Sequence, residues 1–137
     1  MIDIVPVSVA LRRKEPHTKV YVACPYTDEL PSVMQWRYEQ VTIFSVYLLL
    51  RDVLAFSPIS TTHHLVKFGM GVFFDAWERF DLSWMEWADE LWVLCLPGWE
   101  LSVGVAREIE FAESAGMTIR YIEWSPDAHP WAEIEGE

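Results

Sequence analysis

Short apolar runs alternate along this chain with longer segments whose apolar positions recur at helical spacing. Residues 18–24, TKVYVAC, are rich in β-branched and aromatic side chains and stop at Pro25, which predicts a short buried strand. Residues 26–33 read as a turn. A long helix is then expected over 34–50, with a second half that is apolar on nearly every face. A second strand over 52–56 stops at Ser57-Pro58, and a polar loop with Ser60, Thr61, Thr62, His63 and His64 follows. The pattern next predicts an aromatic helix over 73–88, a strand over 90–96, a helix over 102–115 and a strand over 118–122. Gly116 is the natural C-cap between the last two.

Residues 1–17 show no clear period and are expected to form a leader or an extra edge strand. Residues 123–137 read as a loosely held acidic tail, which leaves 18–122 as the domain proper. Strands that alternate with helices through short links imply a parallel sheet of four to five strands with helices on both faces. Ligands of such sheets bind outside the carboxyl ends of the strands. The segments that reach that edge are 25–30, 57–64 and 97–104, where the polar, Gly and Pro residues gather.

Composition narrows the partners. The 137 residues suit one α/β domain with a proper core. A net charge of −11 with only ten Lys and Arg argues against a nucleic-acid interface, because a phosphate backbone needs a cationic face. Cys24 and Cys95 lack metal-type spacing and are expected to be buried free thiols in a reducing cytoplasm. The basic residues Arg12, Arg13 and Lys14 follow the first apolar run, the reverse of a signal peptide, and the run 41–50 is too short to span a bilayer. A helix apolar all round is covered all round, so 41–50 points to a homodimer or higher oligomer.

The chemistry concentrates in 97–108. Pro97-Gly98 breaks the strand, and Ser102 and Gly104 fall where a new helix exposes unpaired N–H groups that suit an anionic ligand. Glu108 follows within two turns. On a helical wheel it borders the stripe Val105, Ile109 and Ala112 from one side as Glu113 does from the other; its position near the N-terminus favours Glu108, against the plain alternative of a solvated glutamate. Asp81 lies inside the stripe Trp77, Phe80, Trp84 and Ala88, where lost hydration would raise its pKa towards neutrality; equally, it could cap a second helical segment after a break at Phe80. Tyr26 directly follows a strand and could face the pocket mouth. Arg37 could hold a phosphate or pair with a nearby acid, His63 and His64 could shape the pocket or lie exposed, and Trp99 could stack on a base or pack as a lid.

VYVACPY at 20–26, FSPIS at 56–60, DLSWMEWADELWVL at 81–94 and SVGVAREIEFA at 102–112 together resemble the nucleoside 2-deoxyribosyltransferase superfamily. That superfamily includes the 2′-deoxynucleoside 5′-phosphate N-hydrolases; the similarity is closest to a small bacterial and phage branch. The most specific pieces are Asp-x-x-Trp-x-x-x-Ala-Asp at 81–89 and Ser-x-Gly-x-x-x-Glu at 102–108. The resemblance implies a flavodoxin-like (Rossmann-like) sheet and cleavage of an N-glycosidic bond, with Glu108 as nucleophile and Asp81 assisting the leaving base. It also implies that Ser102 and the N–H groups of Val103 and Gly104 hold the sugar or its 5′-phosphate, and that Tyr26 orients the nucleophile. The loop CPYTDEL departs from the Gly-containing loops of the characterised enzymes. Serine at position 102, where deoxyribosyltransferases carry aspartate, favours a nucleotide over a nucleoside. Such chemistry needs no metal and no organic cofactor. The alternative is a non-catalytic module that senses a nucleotide in the same pocket.

Overall fold

A computed structural model describes residues 2–70 and 76–125. Among them five parallel strands form one sheet in the order β1-β5-β4-β2-β3, built from β1 (Ile4–Pro6), β2 (Lys19–Ala23), β3 (Leu54–Phe56), β4 (Glu90–Leu94) and β5 (Thr118–Glu123). Helices α1 (Val7–Arg13), α2 (Pro31–Leu49), α3 (Pro58–Thr62), α4 (Ala76–Trp87) and α5 (Val103–Ser114) connect them, so the chain is an α/β domain with a flavodoxin-like sheet.

Strand alternation sorts the core into two halves. Val20, Val22, Trp92 and Leu94 face α1 and α2, where they meet Phe44, Tyr47 and Leu48. Tyr21, Ala23, Leu91 and Val93 face α4 and α5, against Met85, Val105 and Ala112. Both sheet faces are therefore covered, which is why the strands read as continuous apolar runs rather than alternating ones.

Several boundaries differ from the sequence reading, each for a local reason. Residues 1–17 supply the edge strand β1, paired with β5 through Val5 and Ile122, and also the helix α1. Helix α2 starts at Pro31 rather than at 34, because proline at the first helical position brings a suitable φ and lacks only an N–H the helix would leave unpaired. The expected loop at 57–64 is instead α3 followed by a 3-10 turn over 63–68. Ser57 caps α3 by accepting from the N–H of Ser60 at 3.2 Å, and Pro58 opens it. Trp124, assigned to the tail, is buried: its ring meets Phe44 edge-on and its indole N–H donates to Gln40. The start of the helix expected from 73, and the tail beyond 125, lie outside the described residues.

A partly buried ion pair ties β4 to β5. Glu90 lies two residues before Trp92 and so on the same face, where its carboxylate accepts from the Trp92 indole at 2.9 Å and from Arg120 Nε at 2.7 Å. Arg120→Met would leave that carboxylate buried without its cation. The expected loss is about 2 kcal/mol in urea denaturation, and an unchanged midpoint would mean that the pair contributes nothing net.

Candidate functional site

The chain reverses direction across the sheet between β2 and β4: α2 carries it outward to β3, and α4 carries it back to β4. A crevice opens at the carboxyl ends of strands on either side of such a reversal. Here it is a cleft of about 850 Å3 whose walls come from residues 24–27 after β2, 58–66 after β3, α4, and the start of α5. The volume is in the range that holds a small organic ligand.

Two carboxyl groups define its floor. Glu108, in the second turn of α5, is 8% exposed and accepts a hydrogen bond from the Tyr21 hydroxyl. Its pKa is raised to about 8, by burial above all, against the downward pull of the Tyr21 hydrogen bond and with a further push from the charge of Asp81. Asp81 lines the same cleft from α4, and burial raises it to about 7. Helix α4 runs unbroken from Ala76 to Trp87, so Asp81 caps nothing. Beside it Trp84 stacks on Phe56 with ring centres 4.2 Å apart, and Phe56 in turn meets Tyr21. The Tyr21 hydroxyl is held protonated, its pKa raised well above 10 by burial and then by the charge of Glu108. Near neutral pH the carboxyl pair thus retains about one proton.

The entrance to α5 supplies donors. Ser102 caps it, its Oγ accepting from the N–H of Val105 at 3.2 Å, which leaves its hydroxyl hydrogen free to donate. Among the described residues none accepts from the N–H groups of Val103 and Gly104, and both residues line the cleft. A Cβ at position 104 would meet only Ser102 Oγ, at 3.9 Å, so glycine leaves open space above the helix end. Arg107 lines the cleft one residue before Glu108. Its guanidinium lies 3.8 Å from Glu78, and both side chains are more than half exposed.

The other predicted residues divide. Tyr26 and His63 line the cleft and bond to each other, Tyr26 Oη to His63 Nδ1 at 2.7 Å. The tyrosine that holds Glu108 is therefore Tyr21 and not Tyr26. Arg37 stands outside the cleft lining. Its guanidinium donates to the carbonyls of Tyr26, Thr27 and Pro97, clasping the loops after β2 and β4, and this replaces the phosphate contact expected of it. Gly98 makes room for that clasp: it has φ +90°, and a Cβ there would sit 2.8 Å from Arg37 Nη2. His64 is exposed, and Trp99 packs on Tyr121 with ring centres 5.6 Å apart; neither lines the cleft. Cys24, buried at the cleft wall, and Cys95 are both free thiols.

Sequence reasoning missed Tyr21 and Arg107. Tyr21 sits in a strand buried on both faces and reads there as core. Arg107 carries the signal of its place beside Glu108 and is the cation among the described cleft-lining side chains.

Fold and site together define a parallel α/β domain with a carboxyl pair in a cleft at the reversal of strand order. The chain belongs to the family described as a domain of unknown function (DUF1937), whose model matches residues 18–124. No curated protein matches it significantly. Among the described residues no helix is long and apolar enough to cross a membrane.

Proposed function

We propose that this protein cleaves the N-glycosidic bond of a (deoxy)nucleoside 5′-monophosphate or nucleoside, by hydrolysis or by transfer to a second base. The observation that carries the reading is the pair Glu108 and Asp81. Two carboxyl groups share one cleft, one is held by a tyrosine hydroxyl, and together they retain about one proton near neutrality. A retaining glycosidic mechanism needs one carboxylate and one carboxylic acid at the same time. Since Glu108 has the higher pKa, the reactive form, with the proton on Asp81 and the charge on Glu108, is the less populated of the two one-proton arrangements.

In the first step a Glu108 oxygen bonds to the anomeric carbon as the C–N bond breaks, and the bond's electrons leave with the base. Asp81 gives its proton to the departing nitrogen. In the second step water attacks the anomeric carbon, Asp81 takes the water's proton, and the ester to Glu108 breaks. In a transfer reaction, an incoming base takes the place of water. The Tyr21 hydrogen bond favours the charged form of Glu108 and fixes which oxygen is free. The N–H groups of Val103 and Gly104, with Arg107, suit a 5′-phosphate, since Arg107 offsets the acids that otherwise dominate the cleft.

The reading includes a homodimer or higher oligomer in the cytoplasm. In the single chain, Val46 and Leu49 on the second half of α2, Leu50 at its C-cap and Leu54 on the edge strand are exposed, which suits a cover by a second copy. Free thiols at Cys24 and Cys95 suit a reducing compartment.

A second reading has its own support. With its pKa raised to about 8, Glu108 is mostly protonated at neutral pH, which suits a hydrogen-bond donor in a nucleotide-sensing module. Incubating the protein with deoxyribo- and ribonucleotides, with and without an acceptor base, and following free base by chromatography decides between the two. Base release is the expected result, with monophosphates preferred over nucleosides about tenfold and that preference reduced in Arg107→Ala. Binding without release from any substrate would assign the sensing role instead.

A further inference from the structure

A chain of hydrogen bonds behind one wall of the cleft determines what that wall offers a ligand. It starts on the exposed face of α2, where the Gln35 amide nitrogen donates to Glu39 Oε1 at 3.4 Å. That contact orients the amide, so its oxygen is the atom 3.0 Å from His63 Nε2. An amide oxygen only accepts, so the His63 proton resides on Nε2 and the Nδ1 lone pair is left bare. Tyr26 Oη lies 2.7 Å from that lone pair and must donate its hydrogen to it. Tyr38 stacks on the imidazole with ring centres 4.2 Å apart and Tyr26 meets it edge-on; a half-turn of the ring would put carbons where its two nitrogens stand and lose both hydrogen bonds. His63 is also kept neutral: burial first, then the charges of Lys67 and His64, lower its pKa, against an opposing pull from Glu39.

We infer that Tyr26 faces the cleft as a hydrogen-bond acceptor only, and so selects a ligand that presents a donor there: an exocyclic amino group of a nucleobase rather than a ring carbonyl. The inference rests on the nucleotide reading above and deepens it by naming the class of base. The hydroxyl hydrogen of Tyr26 is already committed, so a carbonyl at the same place sets two acceptors face to face. Around it the wall presents Pro58, Ile59 and Val66, with Thr62, whose hydroxyl hydrogen is committed to the Pro58 carbonyl at 2.8 Å, so it offers a misplaced carbonyl little compensation. Glu39 and Gln35 act from outside the cleft as positioning residues; only Tyr26 would touch the base.

The test is calorimetric binding to the full chain carrying Glu108→Gln, so that turnover does not consume the ligand. The ligands are the deoxynucleoside monophosphates of adenine and hypoxanthine, and of cytosine and uracil, each pair differing by amino against carbonyl. The expected result is that the amino member of a pair binds about tenfold tighter. Tyr26→Phe should bring that ratio close to one. Gln35→Lys places a donor opposite Nε2, which moves the imidazole proton to Nδ1 and frees the Tyr26 hydrogen for the ligand, so the preference should reverse. A merely structural role for Gln35 would weaken both members alike. If nucleotides bind with no amino preference, or the preference survives Tyr26→Phe or is unmoved by Gln35→Lys, this inference is overturned and the nucleotide reading stands. If none of the four binds, the nucleotide reading falls and takes this inference with it.

Discussion

Glu108→Gln should make the protein more stable at alkaline pH, by about 2–4 kcal/mol at pH 9, while changing its stability by less than about 1 kcal/mol at pH 5. In the fold Glu108 holds its proton up to about pH 8, against an ordinary value near 4.5 that it regains on unfolding. Between those values the folded chain binds more protons than the unfolded one, so stability falls as pH rises. This is the opposite of a salt-bridged carboxylate, whose stabilisation is lost on acidification. The full shift corresponds to about 5 kcal/mol, and relaxation around a buried group together with its coupling to Asp81 reduces what is observed. Glutamine keeps the shape, still accepts from Tyr21 through its amide oxygen, and has no charge to desolvate. It also relieves Asp81, whose own pKa is raised in the same direction. Urea denaturation of both proteins at the two pH values is the measurement. An equal difference at pH 5 and pH 9 would mean that Glu108 ionises as an ordinary surface glutamate.

A carboxyl group kept in a fold that it destabilises marks a site held for something other than folding, and much of this site can be read from the chain. The three segments that the alternation of strands and helices brings to the carboxyl edge, 25–30, 57–64 and 97–104, each supply residues to the cleft wall. Glu108 stands out from Glu113 by position, and the two differ in the fold as that position predicts: the first is buried, the second exposed. Other features escape for physical reasons. Ser57-Pro58 reads as the end of a strand, yet the same two residues are a helix cap and a first helical position, and both meanings hold here. Tyr21 is invisible as a functional residue because a strand buried on both faces makes every large side chain look like core. Its hydroxyl finds Glu108 87 residues away, a pairing that no local pattern encodes. Arg37 shows the converse: a cation badly placed for the dipole of its own helix does have another partner, but that partner is three backbone carbonyls.

Turnover should depend on Glu108 and Tyr21 to very different degrees. Glu108→Gln is expected to reduce base release by at least about 10⁴-fold, because an amide cannot form the glycosyl ester and the binding contacts that remain give only residual catalysis. Tyr21→Phe keeps the nucleophile and removes its hydrogen bond, and a loss of about 10²-fold is expected. The pH profile separates positioning from simple damage. For the wild type, kcat/KM should form a bell whose top lies between about pH 7 and 8, where the carboxyl pair holds one proton. The Tyr21 hydrogen bond lowers the pKa of Glu108, so removing it raises that pKa. Because Glu108 holds the higher value of the pair, the descending limb should move to higher pH while the ascending limb, set by Asp81, stays. A Tyr21→Phe protein that loses rate at every pH with its limbs in place would make Tyr21 a packing residue. Substantial release by Glu108→Gln would remove Glu108 from the nucleophilic role and leave Asp81 as the carboxyl on which any glycosidic chemistry in this cleft must rest.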